Sequence, residues 1–268
     1  MSVQLPPMLD RQRDAWWALL DLHERMPSGW ALIGGQMVHL HCAERGTSPM
    51  RPTDDADVGI DVRAYPVGLA RFTGILQEIG FQADGTTWRG HQHRWVRNGV
   101  AVDVLIPRGL RSESRARRTV TGATTLEAPG VQQAVDRVED VDVAIMGRDG
   151  AVPRPTLLGA LVAKAAALEI PIDPGRKRHM HDFVVLTTLI RPDDDIASAT
   201  KSDRARIANM LGRLANEPSW KTIVGGAEGL ERLKLALEDG PSVAPAVRRE
   251  PDWARKPARR VEPGRSPD

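Results

Sequence analysis

The chain has 268 residues, with 37 Lys and Arg against 35 Asp and Glu and a formal net charge of +2. That length suits one large domain or two small ones with a real core, and the near-balanced charge gives no overall signal for a polyanionic partner. The lone Cys42 excludes an internal disulfide framework and a multi-cysteine zinc site. No run approaches the roughly 18 apolar residues of a membrane helix. The opening MSVQLPPMLDRQRD lacks the basic start and apolar run of a secretory signal, so a cytoplasmic location without a membrane partner is expected.

Leu9 to Met26 carries Leu9, Trp16, Leu19, Leu20 and His23 at helical spacing and ends at Pro27-Ser28-Gly29. Trp16 fits core packing, while Trp17 is open between packing and a partner contact. Trp30 to Ile33 is a short apolar run suited to a buried strand, followed by Gly34-Gly35 and a helical Gln36 to Glu44. Asp55 to Val62 alternates strictly, with Asp55, Asp57, Gly59 and Asp61 on one face and Ala56, Val58, Ile60 and Val62 on the other. Val67 to Ile79 returns to helical spacing and stops at Gly80.

His93 to Arg97, Asn98-Gly99 and Val100 to Ile106 predict two strands joined by a type I′ hairpin. The second of these strands is apolar except for Asp103. Between Arg108 and Val152 the pattern weakens, with a strand expected at Val141 to Met146 and a turn at Gly147 to Gly150. Pro153 and Pro155 mark a change of character. Helices are expected beyond them at Leu157 to Ile170, His179 to Ile190, Asp203 to Asn216 and Glu228 to Glu238. The stretch from Pro241 to Asp268 holds six prolines and seven Arg or Lys against four acids, a composition expected to stay disordered.

The pattern therefore predicts an α/β protein, a small mixed sheet flanked by helices over residues 1–152, then a helical subdomain over 153–240 and a basic tail over 241–268. Its chemistry concentrates in the glycine pair and the acids after it. Carboxylates at i and i+2 of a strand leave the same face and can converge on a hard cation such as Mg²⁺ or Mn²⁺. Asp103, from a neighbouring strand, is the expected third ligand, since a lone carboxylate in an apolar strand is costly without a cation or donors. An ion pair with an arginine such as Arg94 is the structural alternative. Gly34 and Gly35 let the backbone approach a ligand, and the helix after them aims free N–H groups at phosphate.

These residues resemble the nucleotidyltransferase superfamily, in particular its AbiEii/AbiGii toxin-like branch. The match rests on Gly34-Gly35, on Arg51, Thr53, Asp55 and Asp57 as an Arg-x-Thr-x-Asp-x-Asp strand, on Lys164 after a proline-rich entry, and on the basic run from Arg176 to Asp182. Gly35 stands where many relatives carry Ser, and His179 where the family often has Asp. The resemblance implies transfer of a nucleoside monophosphate from an NTP to an acceptor hydroxyl. Asp55, Asp57 and Asp103 would hold the metal, and Asp103 would draw the acceptor's proton. Gly34, Gly35, Arg51 and Thr53 would bind the nucleotide, with Lys164 and Asp182 as further catalytic groups. A tRNA or other RNA acceptor and an antitoxin partner follow as expectations. A small-molecule nucleotidyltransferase of the antibiotic-modifying type and a non-catalytic binding module are the rival readings.

Several bland readings compete. Lys164 can snorkel at a helix edge, Asp182 can cap a helix, and His91 and His93 share a strand face without a third zinc ligand at suitable spacing. Arg108, Arg111, Arg115, Arg117 and Arg118 form a basic stretch suited to solvent or to a phosphate backbone. Cys42 reads as a small core residue.

Overall fold

A computed structural model describes residues 2–48, 53–111, 114–170 and 175–238. Arg51 and the basic tail lie outside the described residues.

The larger sheet is assembled from β2 (Trp30–Ile33), β3 (Ala56–Ile60), β4 (Gln82–Ala83), β5 (Arg94–Arg97), β6 (Val100–Pro107) and β7 (Leu126–Ala128). Its order is β2-β3-β6-β5-β4, with β7 beside β6. The β3–β6 and β6–β7 pairs are parallel and the others antiparallel, so the sheet is mixed, as expected. The hairpin forms where Asn98-Gly99 places it. Both turn residues have positive φ, 50° and 78°, the left-handed pair that a two-residue type I′ turn requires.

Period-two alternation divides the sheet into two faces. Val58, Ile60, Val102, Val104 and Trp95 belong to the main core, together with Trp16, Leu19 and Leu20 of α1 (Asp10–Arg25) and Leu69, Phe72 and Leu76 of α3 (Gly68–Glu78). On the opposite face Ala31 and Ile33 pack with Val131, Ala134 and Val135 of α4 (Val131–Val135), joined by Ala163 of α5 (Leu157–Ala167). This second face carries Asp57 and Asp103.

A second, three-stranded sheet, ordered β1-β8-β9, is built from β1 (Val3–Gln4), β8 (Val138–Ile145) and β9 (Arg148–Pro155). The sequence showed only part of β8. Two expectations change here. The turn is Met146-Gly147, with Ile145 paired to Arg148, and Gly150 lies inside β9 opposite Val143. Pro153 and Pro155, expected to mark the boundary after residue 152, sit within β9. β9 is an edge strand of its sheet, where proline's missing N–H leaves no ladder bond unmade.

The remaining helices are α2 (Gly34–Glu44), α6 (Arg176–Thr188), α7 (Lys201–Leu214) and α8 (Gly226–Glu238). Each lies within a few residues of its expected bounds, α2 starting at the glycine pair itself. Trp16 and Cys42 are buried. Trp17 is partly buried, packs against the core and donates its indole N–H to the Ile145 carbonyl at 3.1 Å, an internal contact. Among the described residues no helix is long and apolar enough to cross a membrane.

Candidate active site

Strand register places the polar residues of the second face in one row. Ile33 lies opposite Asp57 across the β2–β3 pair, Asp57 opposite Asp103 across β3–β6, and Asp103 opposite Arg94 across β5–β6. Side chains directly opposite one another share a face, so two carboxylates and a guanidinium stand side by side. The sequence expectation that Asp57 and Asp103 share a face holds.

The glycine pair fits against this row. Gly34 follows Ile33 directly and has φ +70°, a left-handed conformation that L side chains rarely adopt. A Cβ there would overlap the Asp57 carboxylate, so the start of α2 closes onto Asp57 only because residue 34 has no side chain. A Cβ on Gly35 would stand 2.8 Å from Thr53 Oγ1. Thr53 is held from both helices: its carbonyl accepts from Gln36 Nε2 at 3.0 Å and from Gln12 Nε2 at 3.4 Å. Asp54 turns the other way, ion-paired to Arg11 and accepting from Gln12 at 3.1 Å.

Arg94 decides the electrostatics. Its Nε and Nη2 donate to the two oxygens of Asp103 at 2.8 and 2.7 Å, a bidentate fork, and Nη2 also donates to Asp55 Oδ2 at 2.9 Å. The hydrogen bonds to Asp103 lead in raising the arginine's pKa further above its already high value. Asp57 receives no such grip. Its carboxyl is pushed up to about 6, first by burial, then by the Asp103 charge beside it and more weakly by Asp55, with Lys164 and Arg94 offsetting part. Negative charge at Asp57 is thus incompletely compensated.

The expected gathering of Asp55, Asp57 and Asp103 as three ligands of one ion does not form. Arg94 occupies Asp55 and Asp103, and among the described residues no group of three His, Cys, Asp or Glu side chains meets as a metal-ligand set. The structural alternative weighed for Asp103 is present, and it extends to Asp55. What remains suited to a hard divalent cation is the in-register pair Asp57 and Asp103. Its oxygen donors are of the right chemistry, and the Asp57 carboxyl is raised first by burial and then by the Asp103 charge beside it.

Lys164 and Asp182 come together, but with each other. Lys164 Nζ donates to Asp182 Oδ2 at 2.7 Å, joining α5 to α6, with both residues at most 5% exposed. The snorkelling alternative for Lys164 therefore fails. Asp182 lies in the interior of α6, whose N-cap is Gly175, so it is not a cap. Lys164 still lies close enough to stabilise the Asp57 carboxylate.

In the basic stretch, Arg117 pairs with Glu127 at 2.9 Å and Arg118 donates to the Gly122 carbonyl at 2.7 Å, so part of it braces its own loop. His91 Nδ1 meets Thr124 Oγ1 at 3.0 Å, an internal contact for one half of the His-x-His pair.

Arg94 is the site residue whose reach sequence reasoning underestimated. The signal was available: counting outward from the two-residue turn Asn98-Gly99 pairs Arg97 with Val100 and Arg94 with Asp103. Its additional hold on Asp55 depends on side-chain geometry that no spacing encodes.

No family model matches the chain, and no curated protein matches it. Solved structures similar to the chain include the following two. A crystal structure of an antigenic nucleotidyltransferase-like protein from Paracoccidioides brasiliensis shares 15% identity, covering 89% of this chain and 97% of that one, with a TM-score of 0.48. A solution structure of the antibiotic-resistance factor ANT(2'')-Ia shares 14% identity, covering 78% of this chain and 96% of that one, with a TM-score of 0.43. Neither likeness bears on the chemistry of the site.

Proposed function

We propose that the chain transfers a nucleoside monophosphate from an NTP to an acceptor hydroxyl, releasing pyrophosphate, with Mg²⁺ or Mn²⁺ as the cofactor. The observation that carries this reading is the register of Asp57 and Asp103 on adjacent parallel strands, beside a glycine entry into α2 that abuts Asp57. Phosphoryl-transfer catalysis is mostly positioning and charge neutralisation, and this face offers both.

Gly34 and Gly35 clear the approach to the first turn of α2, whose unpaired N–H groups and positive dipole end favour phosphate oxygens. Lys164, fixed by Asp182, adds positive potential next to Asp57. Asp57 and Asp103 are the residues to hold the cation, which when bound would screen the charge on the transferring phosphoryl group. Asp103 is poorly placed for the proton-accepting role expected of it, because both its oxygens lie in the fork of Arg94. Asp55 is 47% exposed and touches Arg94 through one oxygen, so we assign the acceptor's proton to its other oxygen.

The test uses α-labelled NTPs, Mg²⁺ and either total tRNA or a small polyhydroxylated amine as acceptor, with label transfer and pyrophosphate release as readouts. Asp57→Asn should lower transfer by about ten-thousandfold, on the order of 5 kcal/mol of barrier, while keeping the fold. Equal labelling by wild type and variant would refute the reading. A second reading, a non-catalytic nucleotide-binding module, is favoured by the Arg94 clamp on two of the three carboxylates. It predicts NTP-dependent thermal stabilisation without pyrophosphate release.

A further inference from the structure

Two segments that are apart in the sequence meet where β5 and β7 begin. In the first, the Gly90 N–H donates to the Thr87 carbonyl at 2.8 Å and the His91 N–H to Thr87 Oγ1 at 3.1 Å, closing a tight turn with Trp88 and Arg89 at its tip. The second is the arginine-rich stretch after β6. Thr124 joins them, pairing with His91 on one side and with Arg118 on the other, and its carbonyl accepts from the Gln92 N–H at 2.7 Å. Residues paired in this way share a face, so His91, Thr124 and Arg118 stand in one row, and the Trp88 turn leads straight out of it.

Trp88 is 87% exposed, and the Arg89 guanidinium lies over its ring, 4.5 Å from the centroid. Arg89, Arg115 and Arg118 are exposed, and among the described residues no carboxylate pairs with any of them. Arg118 spends a hydrogen bond on the uncharged Gly122 carbonyl, whereas Arg117 is taken by Glu127. The acids of the two segments are Asp84, ahead of the turn, and Glu113, which lies outside the described residues. The arginine stretch carries no aromatic residue of its own; the fold brings it one from the turn.

A flat, open indole takes an unstacked base, and unpaired guanidiniums match the phosphates on either side of it. Unstacked bases are displayed by the loops and ends of RNA. Trp88 and Val120, the large apolar groups exposed on these segments, offer too little apolar area to hold a bilayer. We propose that this face binds single-stranded RNA, a base stacking on the open side of Trp88 and the flanking phosphates lying against Arg89, Arg115 and Arg118. Arg94 of the charged row follows shortly on the same segment as His91, so the surface adjoins the candidate site. Binding here needs neither NTP nor cation, so it stands or falls separately from the transfer reaction.

The full chain is titrated, without NTP or Mg²⁺, into a fluorescein-labelled RNA single strand of mixed sequence and into an abasic strand of equal length. Anisotropy should show RNA binding in the micromolar to submillimolar range at low salt, with the abasic strand bound about fivefold more weakly or worse. Trp88→Ala should remove that difference, and Trp88→Phe should keep most of it. Arg118→Gln should lessen the slope of log affinity against log salt by about 0.7, one phosphate contact. Asp57→Asn should bind RNA as the wild type does. Equal binding of RNA and the abasic strand, unchanged affinity in Trp88→Ala, tighter binding of the deoxy strand of the same sequence, or tighter binding of phosphatidylserine vesicles would each overturn the proposal. Trp88 lies outside the core, so thermal unfolding should not move on its replacement. Should Trp88→Ala not fold, the two strands on the wild type together with the Arg118→Gln slope decide.

Discussion

Helix α2 ends in a cluster of charged groups at both of its termini, and the two clusters are built in opposite ways. At the C-terminal end Arg154, 1% exposed, donates to Glu44 at 2.5 Å, to Glu139 at 2.7 Å and to the Pro155 carbonyl at 3.0 Å. His41 lies against it, with Nε2 3.2 Å from the Pro155 carbonyl. Burial, reinforced by Arg154 and Arg45, holds its pKa well below the usual value. Every charge there has an opposite partner, and the cluster staples α2 to the small sheet. At the N-terminal end the one guanidinium is taken by Asp55 and Asp103, and Asp57 beside them is pushed up to about 6. A balanced cluster fastens elements together. An unbalanced one is poised to take up a proton or a cation.

The sharpest break in that contrast is at Lys164. Its pair with Asp182 is a balanced contact near Asp57, and Lys164→Met takes the ammonium partner from the buried Asp182. A loss of about 3–5 kcal/mol in unfolding free energy is expected by urea denaturation, together with a further rise of the Asp57 pKa in NMR titration. At the other end of α2, Arg154→Met should cost about 2–3 kcal/mol, less than for a fully buried pair because Glu44 and Glu139 can regain water. Transfer activity per folded molecule should not change, since the staple touches none of the row residues.

The pH dependence distinguishes the two ends without altering stability elsewhere. The Asp57 pKa is raised from 3.8 to about 6, so between those values the folded chain binds more protons than the unfolded one. Stability should therefore increase as pH falls from about 6 to about 4, by on the order of 2 kcal/mol relative to Asp57→Asn. Saturating Mg²⁺ should flatten that slope by favouring the carboxylate, and a slope unaffected by Mg²⁺ would argue against a cation at Asp57. The smallest effect is expected at Arg94. Arg94→Gln frees Asp55 and Asp103 and should tighten Mg²⁺ binding severalfold, about 1 kcal/mol for a pair whose arginine is 38% exposed. Calorimetry showing equal or weaker binding would mean that arginine and cation do not compete for these oxygens.

Much of the larger sheet was legible because its signals are local. The apolar run Trp30 to Ile33, the alternation after Asp55 and the Asn98-Gly99 turn each specify an element through nearest neighbours alone. The small sheet was not, because β9 carries Pro153 and Pro155 and only its edge position makes them acceptable. α4 was missed because five residues are too few for a helical period to emerge. At the site, the Asp-x-Asp face and the glycine pair could be read from spacing. The Arg94 clamp and the Lys164–Asp182 pair required knowing which long side chains reach one another, which depends on the tertiary arrangement.

Gly34 has a consequence for any attempt to remodel this protein by mutation. Positions 34 and 57 compete for the same volume, so each constrains what the other can become. A library that randomises residue 34 alone should return glycine. One that randomises both should recover folded chains carrying a larger residue at 34 only where the acid at 57 has been lost. Among folded chains, those with a side chain at 34 and those with a carboxylate at 57 should then form separate populations.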